Sequence, residues 1–404
     1  MFKVVVSALI VFCISLSNSF CCTTAVISGK YTEDGRPLLW KHRDTDFHNN
    51  KLMYFTDGKF DYIGLINTKD IKGEQVWAGT NSSGFSIMNA ALYDVNLDYK
   101  GDYKNREGFV MKMALQECAT IEDFEKFLKK LTKPYGVSAS FGVIDAKGGA
   151  AFYETDNNTF VKYDANDPRI APNGYIIRSN FAYIGKKDKG YGYIRYETAQ
   201  NLFSNAFATN NLNYKTIISE FSRSFSNSLL NTNFRKDVEN NINTNDFINS
   251  DDLICRNSSA SAIVIHGVKK DESPKFTTMW TVLGFPFTTV AVPCWIEGGK
   301  ELPSMMMADE KSNVPLCDLS LQLKDKCYPI KRASGYKYLK ISELINTKNT
   351  GITQKIEQIE QTIFAKTEKE LTNWRKNSIK KDQIQNYYKW INTFVMKEYQ
   401  KNFF

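Results

Sequence analysis

Two adjacent cysteines near the start of the chain carry its most distinctive chemistry. In FCCTTAV, Cys21 and Cys22 follow a leader in which Lys3 precedes an apolar run from Val4 to Leu16 and a polar exit, Ser17-Asn18-Ser19. The run is shorter than the roughly 20 apolar residues that span a bilayer. Its form is that of a secretory signal peptide over residues 1–21. Peptidases that remove such leaders want small residues at the third and first positions before the cut. A cut before Cys22 puts Ser19 and Cys21 there, whereas a cut before Cys21 puts Phe20 against the bond. The first choice leaves Cys22 as an N-terminal residue. A free α-amino group titrates at about 7.7–8.0, so part of it is neutral at working pH. Thiol and base would then sit in one residue, an arrangement known for N-terminal threonine nucleophiles. No histidine is needed, in a chain whose three histidines are His42, His48 and His266. A cysteine at a leader junction is also a lipid attachment site or half of a disulfide, and both readings stand beside the catalytic one.

The elements that must position Cys22 can be read from the periodicity. From Cys22 to Gly84, short β-rich runs (TTAVISG, RPLLWKHR, KLMYFT, YIGLIN, QVWAGT) alternate with turn formers such as Glu33-Asp34-Gly35 and Asp57-Gly58. Residues 108–131 have helical period, with Thr120 and Asp123 spaced as a cap for a second helix. SASFGVIDA and AAFYET form a hairpin around Lys147-Gly148-Gly149. Residues 190–245 are expected to be mostly helical, followed by strands in SASAIVIHGV, KFTTMWTVLG and TTVAVPCWI. Residues 331–404 are helical, rich in Lys, Glu, Gln and Asn, with Trp374, Tyr387, Tyr388 and Trp390 as packing residues. Strands, helices, strands and helices in blocks predict a layered α+β body, two antiparallel sheets between helices. The expected organisation is a leader over 1–21, a body over 22–330 and a helical extension over 331–404 packed on that body.

The ordered motifs resemble a known family. A Cys-Thr start, a strand, a Gly-Arg-Pro turn and a second strand ending Arg43-Asp44-Thr45-Asp46 are similar to the N-terminal nucleophile (Ntn) hydrolases. More narrowly they resemble the acyl-coenzyme A:isopenicillin N acyltransferase and carcinine hydrolase family, with the choloylglycine hydrolase and penicillin V acylase family as near relative. GTNSSGFSIMNAA, SFGVIDAKGGAAFYET, IIRSNFAYIG and MWTVLGFPFTTVAVPCWI extend the resemblance over residues 22–300. It implies an αββα sandwich with Cys22 as nucleophile and its α-amine as base. Asp46 would hold that amine and Arg43 would lie beside the thiol, where a guanidinium favours thiolate. Asn180 would donate its amide to the oxyanion, and a backbone N–H at Asn89 or Ala90 would be the second donor. Arg256, in CRNSSASA, corresponds to a further arginine of the bile-salt enzymes. Read without the resemblance, Arg43 and Asp46 are an ordinary surface pair and Asn180 a turn residue.

Other chemistries are disfavoured by what the sequence offers. The net charge of +8 is spread out rather than gathered into a nucleic-acid-reading stripe. No Cys-x-x-Cys or His-x-x-x-His occurs, so a structural zinc site is not expected, and the reaction that the resemblance implies requires no cofactor or metal. Cys317 and Cys327 bracket a short polar segment that export would allow to close as a disulfide. His266 lies in a β-rich run and is a poor protease partner for a cysteine. Asn81, Asn158 and Asn257 begin Asn-x-Ser/Thr triplets that matter only in a glycosylating host. The expectation is an exported, periplasmic or secreted amidohydrolase that cleaves or transfers the acyl group of a linear amide through a Cys22 thioester. Its partner is a small N-acyl amide, with no nucleic acid and no integral membrane span, and a homo-oligomer is admissible. Bile-salt or penicillin V hydrolysis and acyl-coenzyme A-dependent N-acyl transfer are the alternatives within the class. A lipid-anchored, non-catalytic surface protein is the alternative outside it.

Overall fold

The computed structural model describes residues 22–101, 105–242 and 246–404. The leader reading, with Cys13 and Cys21, lies outside the described residues. The β-branched and aromatic runs become strands, in order β1 (Thr23–Ile27), β2 (Leu38–Asp44), β3 (Asn50–Phe55), β4 (Tyr62–Asn67), β5 (Ala78–Asn81) and β6 (Ser86–Ala91). Helices α1 (Glu107–Glu117) and α2 (Ile121–Lys130) follow, and the Thr120 hydroxyl accepts from the Asp123 N–H at the start of α2. Strands β7 (Ala139–Ile144), β8 (Ala150–Thr155), β9 (Phe160–Asp164) and β10 (Tyr175–Arg178) precede helix α3 (Tyr193–Ala208). The β7–β8 turn closes with Gly148 at φ +89°, while Asp145 accepts from the Lys147 and Gly149 N–H groups.

The mostly helical stretch expected over 190–245 is present, with one interruption. After α4 (Tyr214–Thr216) and a π-helical turn, a hairpin of β11 (Ser226–Asn227) and β12 (Thr232–Asn233) intervenes before α5 (Phe234–Glu239). Asn227 and Asn233 cap backbone N–H groups of the following residues, so local side-chain bonds compete with helix in this Asn- and Ser-rich stretch. Strands β13 (Phe247–Asn249), β14 (Ser259–His266), β15 (Thr278–Leu283) and β16 (Ala291–Cys294) come next. Then follow α6 (Pro315–Cys327), β17 (Tyr338–Lys340), α7 (Ile341–Leu344), α8 (Ile352–Asn377) and α9 (Lys381–Phe403).

The strands form a six-stranded sheet, β10-β1-β2-β14-β15-β16, and a seven-stranded sheet, β3-β4-β5-β6-β7-β8-β9, both antiparallel. β1 and β2 lie against β6 and β7, so the sheets stack face to face. Gly142 permits the approach, since a Cβ there would fall 2.9 Å from Val26 of β1. Period-two alternation sorts the faces. Phe141 and Val143 look outward to α1 and α2, forming a core with Phe85, Phe124 and Tyr153. On the other sheet Trp40 looks outward to Phe203 of α3 and to Phe221. Helices α8 and α9 cover the remaining outer surface, with Trp374, Tyr387 and Tyr388 packed on Trp295. The result is the expected α+β, αββα arrangement with its C-terminal helices.

One covalent expectation is overturned. Cys317 and Cys327 are both buried free thiols at opposite ends of α6. Nearly three turns separate them, about 15 Å along the axis at 1.5 Å per residue. Disulfide Cα atoms lie within about 7 Å of each other. The segment that reads as a loop in the sequence is a helix, and a helix holds its ends apart.

Candidate active site

Strand β1 lies between β2 and β10, and the registers decide what flanks Cys22. Thr23 pairs with His42 of β2 and Thr24 with Arg178 of β10. Continuing those antiparallel registers sets Arg43 level with Cys22 on one side and Asn180 on the other. Residues far apart in sequence therefore meet in one row across three strands. Cys22 is 7% exposed.

Arg43 and Lys41 alternate on β2, so both side chains enter the gap between the sheets. Nη1 of Arg43 donates to Asn50 Oδ1, and Nη2 donates to Asn67 Oδ1 at 2.9 Å. Asn50 and Asn67 are themselves cross-strand partners of β3 and β4. The guanidinium also lies 5.1 Å from the Trp77 ring centroid. Burial lowers its pKa to about 10, with Cys22 opposing the shift. Lys41, which no motif in the sequence singles out, is 1% exposed. Its Nζ donates to the Trp77 carbonyl at 2.7 Å and to Asn89 Oδ1 at 2.6 Å. Burial lowers its pKa to about 7, again with Cys22 opposing and with Arg43 pushing further down. Asn89, considered in the sequence as a backbone donor, thus brings its side-chain carbonyl to Lys41.

Asn180 is buried and its amide is oriented by two contacts. Nδ2 donates to the Ala91 carbonyl at 2.8 Å, and Oδ1 accepts from Arg195 Nη2 at 3.0 Å. The same guanidinium donates through Nη1 to the Cys22 carbonyl at 2.8 Å and to Thr23 Oγ1 at 2.7 Å. Arg195, buried on α3, therefore ties Cys22 to Asn180. No local pattern in YIRYETAQ distinguishes it. The one signal is an arginine within a helix face that must pack on a sheet.

Asp46 and Arg256 are placed elsewhere than the resemblance implies. β2 ends at Asp44, and Asp46 is exposed beyond it, outside the lining of the cavity described below. The buried carboxylate here is Asp44. Its Oδ2 accepts from Arg256 Nε at 3.0 Å and Nη2 at 2.9 Å, and its Oδ1 accepts from Ser259 Oγ at 2.7 Å. Arg256 is thus an ion-pair partner of Asp44 behind the strand rather than a wall of the cavity. Ser259 also lies 2.8 Å from His42 Nε2. This serine, histidine and aspartate look like a hydrolytic triad but are wired otherwise. The serine donates to the carboxylate, and all three are fully buried on the face of β2 opposite Arg43. Burial holds His42 down to about 4, so it is neutral. His266 Nε2 lies 2.8 Å from Asp34 Oδ2 at the far end of β14, where His266 pairs with Leu38 rather than Arg43, and it takes no part in the Cys22 row.

Cys22, Lys41, Arg43, Trp77 and Asn89 lie on a cavity of about 1040 Å³. Its further lining includes Ala91, Leu92, Tyr93, Val95, Leu97 and Tyr99, an apolar wall contributed by the end of β6 and the segment after it. Lys69, Asp70 and Glu74 add charge, and Glu107, at the start of α1, is a buried acid on the same cavity. Among the described residues no group of His, Cys, Asp and Glu side chains is arranged to hold a metal. No helix of the described residues is long and apolar enough to cross a membrane.

No family model matches the chain, and no curated protein matches it. Solved structures do. An N-acylethanolamine-hydrolyzing acid amidase ortholog from Caenorhabditis elegans is 14% identical, with 63% of this chain and 93% of that chain covered and a TM-score of 0.43. Penicillin V acylase from Agrobacterium tumefaciens is 12% identical, covering 68% and 86%, with a TM-score of 0.41. A variant of conjugated bile acid hydrolase from Clostridium perfringens is 11% identical, covering 68% and 92%, with a TM-score of 0.38. Matches at this level carry neither activity nor substrate from one chain to another. The layer architecture described above rests on the sheets and helices themselves.

Proposed function

We propose that this chain is an exported amidohydrolase of the Ntn type, with Cys22 as nucleophile, cleaving N-acyl amides whose acyl part is apolar. One observation carries the reading. A nearly buried cysteine opens onto a large cavity with Lys41 and Arg43 buried on the same cavity and an oriented asparagine amide just past the end of the neighbouring strand β10. The thiolate is the nucleophilic form of a cysteine. Leader removal before Cys22 would supply the α-amino group as the proton carrier.

In this reading the Cys22 thiolate attacks the amide carbonyl, and the oxyanion that forms accepts a hydrogen bond from Asn180. The C–N bond then breaks, the amine departs with the proton held by the α-amino group, and a thioester on Cys22 remains. Water hydrolyses it. Hydrolysis is favoured over transfer because an exported enzyme meets little acyl-coenzyme A. The cavity is as large as a typical small-molecule site of about 300–1,000 Å³, and Leu92, Val95, Leu97 and Tyr99 offer an apolar wall for the acyl group.

A panel of N-acyl amides of increasing acyl length tests this directly. Wild-type protein should release amine with kcat/KM rising with acyl length and should accumulate an acyl adduct on Cys22 by intact mass. Cys22→Ala should lose turnover by at least about 1000-fold while keeping its unfolding midpoint. Unchanged turnover in that variant would refute the assignment. A diacylglyceryl adduct on Cys22 of exported protein would favour the lipid-anchored alternative.

A further inference from the structure

We infer that Lys41 is a positioning residue for the oxyanion. By engaging the Trp77 carbonyl it keeps the backbone N–H of Asn89 out of the sheet ladder and free to donate to a substrate oxygen. This role rests on Cys22 being the nucleophile. It goes beyond that reading by adding a second donor to Asn180 and naming the side chain that keeps this donor free.

The ground lies in the registers around β6. In an antiparallel sheet, successive residues of an inner strand turn their N–H and C=O groups to opposite neighbours. The Asn81 N–H donates to the Phe85 carbonyl at 2.9 Å, so Phe85, and with it the odd-numbered residues of β6, face β5. The Leu92 N–H donates to the Ser138 carbonyl at 2.9 Å, so the even-numbered residues face β7. Gly79 pairs with Ile87 and Ala78 with Met88, and one step further Trp77 would pair with Asn89. β5 begins at Ala78, and that rung is absent. The Trp77 N–H turns to the Leu65 carbonyl at 2.9 Å, and the Trp77 carbonyl accepts from Lys41 Nζ at 2.7 Å. Both groups that would close on Asn89 are therefore engaged elsewhere. Buried backbone N–H groups are nearly always paired, and here a side chain from the other sheet has taken the partner.

The same edge of β6 carries the other donor. Ala91, one alternation beyond Asn89, turns its carbonyl to this side and accepts from Asn180 Nδ2 at 2.8 Å. Asn89, Ala91 and Cys22 all line the cavity. Ala90 pairs with Ser140 and its N–H faces β7, so of the two neighbours Asn89 is the one able to serve. A lysine suits the task. Its stem crosses from β2 to the opposite sheet, and its ammonium, with three donors, reaches the Trp77 carbonyl and Asn89 Oδ1 together. Lys41 thus holds the Asn89 side chain at 2.6 Å while withholding the partner of the Asn89 N–H. No bond to carbon forms or breaks at either residue, and neither gains nor loses a proton as the oxyanion forms.

Amide hydrogen exchange, followed residue by residue by NMR on the processed protein, reads the Asn89 N–H directly. Ile87, whose N–H faces Gly79 of β5, is the internal reference. In the wild type Asn89 should lack the protection that Ile87 shows; equal protection overturns the inference, whether or not any variant folds. Lys41→Met releases the Trp77 carbonyl, so protection at Asn89 should rise to that of Ile87. Its kcat on an N-acyl amide should fall by about 100-fold, the effect of losing one oxyanion donor, with a smaller change in KM. Lys41→Arg keeps a donor for the carbonyl and should recover most of that loss. Folded Lys41→Met with wild-type kcat, or with a lowered kcat and Asn89 still unprotected, overturns the role of Lys41. Turnover that survives Cys22→Ala would instead overturn the nucleophile reading, and the exchange at Asn89 does not depend on it.

Discussion

At the scale of single residues, Arg195 gives the sharpest test of how the site is held. Its guanidinium reaches both the Cys22 carbonyl and Asn180 Oδ1, so one side chain sets the distance between nucleophile and amide donor. Arg195→Met should lower kcat by about 10- to 100-fold, since small misplacements of reacting groups cost that much. KM should change far less, because the side chain is not among those lining the cavity. Steady-state kinetics on one amide would separate the two constants; a change confined to KM would contradict the positioning role. Arg43 and Asn180 were legible in the chain as members of ordered motifs. Lys41 and Arg195 were not, because nothing in LLWKHRD or YIRYETAQ distinguishes a buried cation from an exposed one. Burial is a property of what packs above a residue.

At the scale of the element, β2 works as a divider between two chemistries. Alternation sends Lys41 and Arg43 toward the cavity, and sends His42 and Asp44 to the opposite face with Ser259 and Arg256. His42 is held down to about 4 by burial, against about 6.5 in an unfolded chain. Between those values the unfolded chain binds a proton that the folded one refuses. Stability is therefore fully present above pH about 6.5 and falls as the pH drops toward 4. His48, also lowered to about 4 by burial, adds in the same sense. His42→Gln retains a partner for Ser259 and removes one of these protons. Urea midpoints at pH 7 and pH 5 should differ less in the variant than in the wild type; an equal difference would show that His42 does not carry the acid slope. The alternation itself could be read from the sequence. Which face met solvent, a helix or the second sheet could not, since both sides of β2 are covered.

At the scale of the whole molecule, the C-terminal helices are part of the body. Arg223, after the π-helical turn, donates through Nη1 and Nη2 to Glu360 of α8 and through Nε and Nη2 to the carbonyls of Pro286 and Thr289. Glu360 also accepts from the Ala291 N–H at the start of β16. Both side chains are almost wholly buried. Glu360→Gln leaves the guanidinium without its charge partner, and breaking a buried pair in this way costs about 3–5 kcal/mol. Chemical unfolding should show a lower midpoint with an unchanged m-value. A variant as stable as the wild type would mean that α8 is held by its apolar contacts alone.

The sequence by itself determined the strand and helix blocks, the layered class and a short list of candidates around Cys22. Side-chain alternation, turn formers and caps are local, and local signals survive without coordinates. Tertiary structure alone decided that Arg43 and Asn180 flank Cys22, since that depends on the registers of β2 and β10 against β1. It also decided that Asp44 rather than Asp46 is the buried acid, because β2 stops one residue beyond Arg43. Cys317 and Cys327 make the same point in reverse. Their spacing fits a loop or a helix equally well, and only the packing of α6 against the body chose the helix that keeps the two thiols apart.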